Sequence, residues 1–361
     1  MIRRALRARR EKVRLGILAV VLLAGAGDAR AQLTVYLNKG GGTFSPGEPN
    51  DSRTNVSSVP DSPVSIPAWE VDETVWSDVL TCVQDLFAPF GVVATDVDPG
   101  DSDHIEAVLG GLPGQVGLDP NAAGVSPFRT DCSVIDNSIV FIFPDVLADP
   151  RLVCEAVAQE VAHSIGLDHQ YLCEDPMTYL TGCGEKKFLF RDSICGELEP
   201  RDCKCTRTQN SARLLLDRLG SSNEPTMWIN DPTGADPVAS ETLVRVAVTN
   251  QPNWIELYID GDIIDNAPAV TASDPYSLVE LTTFGSMSAG THELTVRSYW
   301  DDGTNSSESV EVQVTDGDGS RIIGGCAAGG GAEGPAGLML GALILLAAPR
   351  RRSVSRARPR S

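Results

Sequence analysis

The run Gln159-Glu160-Val161-Ala162-His163-Ser164-Ile165-Gly166-Leu167-Asp168-His169, followed by Asp175-Pro176-Met177-Thr178-Tyr179, gathers the side chains of this chain best suited to chemistry. Gln159 and His163 are one helical turn apart, so both side chains can reach the same point. Glu160 falls on the adjacent face, where a carboxylate could take a proton from a water held at that point. Gly166 can adopt positive φ and end a helix sharply. A chain that reverses there could bring in His169 as a third ligand. Three protein ligands with one open, water-filled position is the arrangement a hydrolytic zinc ion needs.

The elements that must position these groups can be read from periodicity. Asp149 as N-cap and Pro150 at the first helical position predict a helix running to Ile165. Val75, Trp76, Val79, Val83, Leu86 and Phe87 recur at helical spacing between Asp72 and Phe87, ahead of Pro89. Leu33–Leu37, Gly91–Val97, Ile105–Leu109 and Ser138–Phe143 read as strands. A third helix is expected from about Gln209 to Leu219. Together these predict a mixed α+β domain over residues 32–219. The Gly-, Ser-, Asn- and Pro-rich stretch from Gly40 to Pro67 reads as an irregular loop.

The motif resembles that of the metzincin zinc metallopeptidases of matrixin or astacin type, H-E-x-x-H-x-x-G-x-x-H with a downstream Met-turn. Glu160, His163, Gly166 and His169 match it residue by residue, and Met177 stands eight residues after the last His. The likeness extends over about residues 33–218 in element order, and over 159–179 at motif level. It implies a metzincin-like domain with a mixed sheet, an active-site helix and a Met-turn. It further implies zinc on His163 and His169, Glu160 as proton acceptor, Met177 as an apolar floor, and Tyr179 as a metal ligand or oxyanion donor. The first ligand departs from the pattern, because Gln159 stands where the family has His. Three outcomes follow: Gln159 binds through its amide oxygen, His104 or His292 replaces it, or the site is empty and the domain non-catalytic. Cys173 and Cys183 bracket the Met-turn, and a disulfide between them would fix that loop under the metal. The function implied is hydrolysis of protein or peptide substrates by metal-activated water; the alternative is a surface adhesin that keeps the fold as scaffold.

Composition narrows the setting. The 361 residues are 42% hydrophobic and 22% charged, a globular balance. Of the 29 Lys and Arg, eight fall in residues 1–31 and six in 350–360, which leaves about −32 on residues 32–349. Such an acidic body does not bind nucleic acid through its phosphates. Basic Met1–Arg14, apolar Leu15–Gly25 and Ala29-Arg30-Ala31 form the three parts of a secretory signal over residues 1–31. Its apolar run is too short for a hydrocarbon core of about 30 Å. At the other end, Cys326, a Gly/Ala spacer, an apolar run from Ala336 to Ala348 and an Arg cluster resemble the myxobacterial (MYXO-CTERM) sorting signals. That likeness implies a removable tail over residues 317–361 and a protein held at the surface through its Cys326 region; a plain membrane anchor is the alternative. Either way, membrane contact is expected only through this tail, and the body lies outside the cytoplasm. Eight further cysteines, all between Cys82 and Cys205, suggest four disulfides in an exported domain.

Residues 220–225 (GSSNEP) read as a linker. Beyond them, period-2 runs at Leu243–Val248, Trp254–Ile259, Ser277–Thr282, His292–Ser298 and Ser309–Val314 predict an all-β sandwich over residues 226–316. This part resembles bacterial immunoglobulin-like repeats, which serve as spacers or binding units. Asp96, Asp98, Asp101 and Asp103 crowd one short stretch. Calcium suits such hard oxygen ligands, but the Glu that closes an EF-hand loop is missing, and the run reads first as a solvated acidic turn. Oligomeric state and the partner of the sandwich are not legible.

Overall fold

The computed structural model describes residues 32–268 and 276–315. The expected secretory signal, the C-terminal sorting segment and Cys326 lie outside the described residues. Among the described residues, no helix is long and apolar enough to cross a membrane. The described residues are mostly β, with three α-helices and several sheets.

The first domain is built on a five-stranded sheet of β1 (Leu33–Asn38), β5 (Val92–Thr95), β6 (Ile105–Leu109), β7 (Gly124–Val125) and β8 (Ile139–Ile142), in the order β5-β1-β6-β8-β7. The first four in that order run parallel, and β7 is an antiparallel outer strand. β6 and β8 are buried at every position, as continuous aliphatic strands covered on both faces must be. One face carries helix α1 (Glu73–Phe87) and helix α2 (Pro150–Ser164), tied together by the disulfide Cys82–Cys154. The apolar stripe of α1 (Trp76, Val79, Val83, Leu86, Phe87) faces Val153, Val157 and Val161 of α2 in one core. Helix α3 (Ser211–Leu219) adds Leu215 and Leu216 to that core.

The stretch expected to be an irregular loop instead forms a small sheet on the opposite face. Strands β2 (Gly42–Pro46), β3 (Val56–Ser57) and β4 (Val64–Ile66) associate in the order β3-β2-β4. Phe44 and Ile66 anchor it against Val108, Ile139 and Phe141. The pieces are so short that no alternation shows in the sequence.

The second domain has seven strands: β9 (Met227–Asp231), β10 (Leu243–Thr249), β11 (Trp254–Ile259), β12 (Asp262–Pro268), β13 (Tyr276–Thr282), β14 (Gly290–Tyr299) and β15 (Asn305–Val314). They form two sheets, β13-β10-β9 and β12-β11-β14-β15, whose inner faces enclose Val246, Val248, Leu257, Leu281, Val296 and Val312.

Residues 220–225 do not run free between the domains. Gly91 N–H donates to Gly220 O (2.9 Å) and Ser222 N–H to Pro89 O (3.0 Å), pinning the segment along the end of α1. The sandwich then packs on residues 186–191. Phe190 stacks on Trp228 and Tyr276 at 5.6 and 4.3 Å between centroids, and Phe190 N–H donates to Asn230 Oδ1 at 2.6 Å. Lys187 pairs with Glu308, and Arg191 with Asp231. Trp228 and Ala247 belong to the core of the first domain, so the two domains share an apolar seam.

Candidate metal centre

Helix α2 begins at Asp149, whose carboxylate accepts from Leu152 N–H (3.0 Å), with Pro150 in the first turn. It ends in a Schellman turn: Gly166 N–H bonds His163 O at 2.8 Å and Leu167 N–H bonds Ala162 O at 3.0 Å. Gly166 sits at φ +95°, and a Cβ there would run into Cys132 O, so a side chain would be both strained and obstructed. Arg218 of α3 donates to the last free carbonyl, Ile165 O. This turn reverses the chain and returns His169 beside His163.

The two imidazoles meet edge to face, with their centroids 4.4 Å apart and planes at 90°. Their Nε2 atoms face each other at 2.9 Å. Each Nδ1 stands against an obligate acceptor and must donate: His163 to Leu167 O at 2.7 Å, His169 to Glu197 Oε1 at 3.0 Å. With both rings neutral, both lone pairs sit on Nε2 and repel; a proton or a metal ion held between them relieves the contact. Burial, then His169, pushes the His163 imidazole down to about 3, so that ring is neutral. Two nitrogens on one tetrahedral zinc at about 2.0–2.1 Å would lie roughly 3.3 Å apart, so the pair fits such an ion after a small opening. A carboxylate behind a ligating imidazole is the usual support for a metal-bound His.

Glu197 was not singled out from the sequence. It is fixed by Arg201, which bonds it at 2.7 Å and grips Asp168 through both terminal nitrogens at 2.7 and 2.8 Å. The hydrogen bond from His169, then Arg201, holds the Glu197 carboxyl far below its ordinary range. Both residues lie in the loop closed by Cys195–Cys203. Asp168, His169 and Glu197 approach one another within 4.8 Å, but the cation that satisfies these carboxylates is the guanidinium of Arg201.

Glu160 is 8% exposed, and burial pushes its carboxyl up to about 8. It packs on Gly124 of β7, where a Cβ would fall 2.8 Å from Glu160 Cγ; the glycine makes room for it. Met177 is fully buried in the apolar core. Its N–H donates to Asp175 Oδ1 at 2.9 Å, and its carbonyl accepts from Gln170 N–H at 2.8 Å. The disulfide Cys173–Cys183 closes this loop, and Cys132–Cys205 fastens the segment behind Gly166. Tyr179 lies over His169 with 4.5 Å between centroids and is 38% exposed. Burial, then Glu160 and Glu197, raises its phenol.

Gln159 is held from its nitrogen side. Its amide N–H₂ donates to Pro176 O at 2.8 Å and Thr178 O at 3.4 Å, tying α2 to the Met177 turn. Only the oxygen of that amide remains to serve as a ligand. Neither alternative His replaces it. His104 is buried at the start of β6 with Nδ1 2.7 Å from Ser102 O, and His292 lies on β14 bound to Asp260 at 2.7 Å.

No family model matches the chain, and no curated protein is similar to it. Among solved structures, the fibronectin(III)-like modules of CbhA from Clostridium thermocellum are 20% identical over 25% of this chain and 95% of theirs, at a TM-score of 0.19. A lytic polysaccharide monooxygenase of Jonesia denitrificans is 16% identical over 41% of this chain and 94% of its own, at 0.20. OgpA of Akkermansia muciniphila is 13% identical over 78% of this chain and 94% of its own, at 0.24. Similarity this slight carries no argument about chemistry.

Proposed function

We propose that the chain is an exported, surface-held zinc-dependent peptidase, with a metzincin-type domain followed by an immunoglobulin-like sandwich. The observation that carries this reading is the pair of imidazoles fixed through Nδ1 with their Nε2 atoms 2.9 Å apart. His163 and His169 would hold the ion, with the amide oxygen of Gln159 as third donor. When bound, zinc polarises a carbonyl and acidifies a water.

The remaining work falls to the protein's own groups. Glu160, whose carboxylate form a nearby cation would favour, accepts the proton of the attacking water and passes it to the leaving amine. Tyr179, reachable from solvent beside His169, donates to the oxygen of the carbonyl under attack. β7 is the outermost strand of its sheet, so an extended peptide can pair with its free edge. Gly124 on that strand touches Glu160, which brings such a peptide alongside the carboxylate.

One observation favours the second reading, a non-catalytic surface adhesin: Gln159 spends its amide nitrogen on the 176–178 turn instead of offering an imidazole. Zinc content and casein cleavage by the purified full chain separate the two. A peptidase binds near-stoichiometric zinc, loses it in His163→Ala, and loses cleavage but not zinc in Glu160→Gln. A folded chain that takes up no ion at saturating zinc, and cleaves nothing, is the adhesin.

A further inference from the structure

A second site lies on the face of the main sheet away from α1 and α2, beneath the small β2–β4 sheet. A cavity of about 400 Å³ opens there, within the range of small-molecule sites, roughly 300–1,000 Å³. Its floor is buried Glu106, His104 and Asn38; its rim is exposed Asp98, Asp101 and Arg53. None of these residues takes part in the metal centre.

Glu106 is 4% exposed, and its two oxygens differ. Oε1 accepts from Asn38 Nδ2 at 2.7 Å, while Oε2 is buried with no partner. A carboxylate oxygen left bare in a protein interior is costly and calls for a donor or a cation. The cation in the lining is engaged elsewhere: Arg53 is bound to Asp51 at 2.8 Å and Asp103 at 2.9 Å. The lining is thus acidic on balance, with Asp98, Asp101 and Glu106 against a single Arg53 that Asp51 and Asp103 already hold. Burial, then Asp98, keeps the Glu106 carboxyl up at about 7.

A bare metal ion is a poor match. Among the described residues, the imidazole and carboxylate atoms of His104, Glu106, Asp98 and Asp101 do not draw together into a group of metal-ligating distances. The occupant has to bring its own bulk and its own N–H donors.

We propose that this cavity binds an alkyl ammonium ion, either a free polyamine or a lysine side chain of a peptide, with the ammonium head donating to Glu106 Oε2. Asp98 and Asp101 draw the cation in from the rim, and Tyr36, which also lines the cavity, packs along the alkyl stem.

The test is calorimetric titration of the full chain, at mildly alkaline pH, with 1,5-diaminopentane, spermidine and N-acetyl-lysine amide. Binding by any of the three is expected, and the tighter class names the source. Glu106→Gln, which keeps the Asn38 bond, should weaken binding roughly tenfold to a hundredfold. Asp98→Asn, on the exposed rim, should weaken it by a few-fold, which keeps the test valid should the Glu106 variant misfold. Absence of binding by all three amines at millimolar concentration overturns the proposal. So does unchanged affinity in a folded Glu106→Gln, or saturable binding of calcium chloride with no response to amines.

Discussion

Glu106→Gln should leave the protein more stable than the native chain at mildly alkaline pH, by a margin that vanishes in acid. Burial, then the charge of Asp98, holds the carboxyl at about 7 in the folded chain, against 4.5 for a solvated side chain. Below pH 4.5, the unperturbed value, the group is protonated whether the chain is folded or not. Between 4.5 and 7 the unfolded chain releases the proton while the folded chain keeps it. Stability therefore falls with rising pH, by about 1.4 kcal/mol per unit. Over that interval the loss comes to about 3 kcal/mol, and it stays constant above the folded value. Gln has the same shape, can accept from Asn38 Nδ2 as Oε1 does, and does not titrate. The assay is urea unfolding followed by tryptophan fluorescence, native chain against variant, from about pH 4 to about pH 8. Glu160 and Asp175, also raised by burial, are present in both proteins and cancel from the difference. That difference should grow by about 3 kcal/mol in favour of the variant across the range. A difference flat to within about 0.5 kcal/mol, or one that grows toward acid, would refute the claim that Glu106 is a buried carboxyl without a counter-ion.

Three further outcomes follow from the proposed metal centre and its supports. Glu197→Gln removes the anionic acceptor behind His169 and should lower zinc affinity by about ten- to a hundredfold in a chelator competition, with Glu160 untouched. Gly166→Ala forces a side chain into positive φ against Cys132 O; it should cost roughly 2 kcal/mol or more in denaturant unfolding and also weaken zinc, because the same turn aims both imidazoles. Cys132 and Cys205 are 73 residues apart, so replacing both with Ser should cost about 4 kcal/mol of unfolding free energy through the longer free loop.

Sequence periodicity located the structural supports of the centre well. The stripe from Val75 to Phe87 became α1, Asp149-Pro150 opened α2, and Gly166 closed it. These are local signals, carried by residues within one or two turns of each other. The small β2–β4 sheet was not legible, because its strands of two to five residues are held by tertiary contact of Phe44 and Ile66 rather than by alternation. Glu197 was hidden for a related reason. It reaches His169 across 28 residues through a loop closed by Cys195–Cys203, and eight cysteines permit 105 pairings. The acidic run at Asp96–Asp103 read as solvated, and its rim residues are exposed. What the run borders, a cavity floored by Glu106, exists only once β1, β6 and the small sheet are assembled.

The aromatic clasp at Phe190 has a practical consequence for anyone dividing the gene. A product ended near Pro225 would present that ring, stripped of Trp228 and Tyr276, to solvent one residue from Leu189, whose N–H donates to the Asp175 carboxylate that also takes the Met177 N–H. Such a truncated product would self-associate, whereas the sandwich expressed by itself would keep its interior closed but bare Trp228, Tyr276 and Ala247.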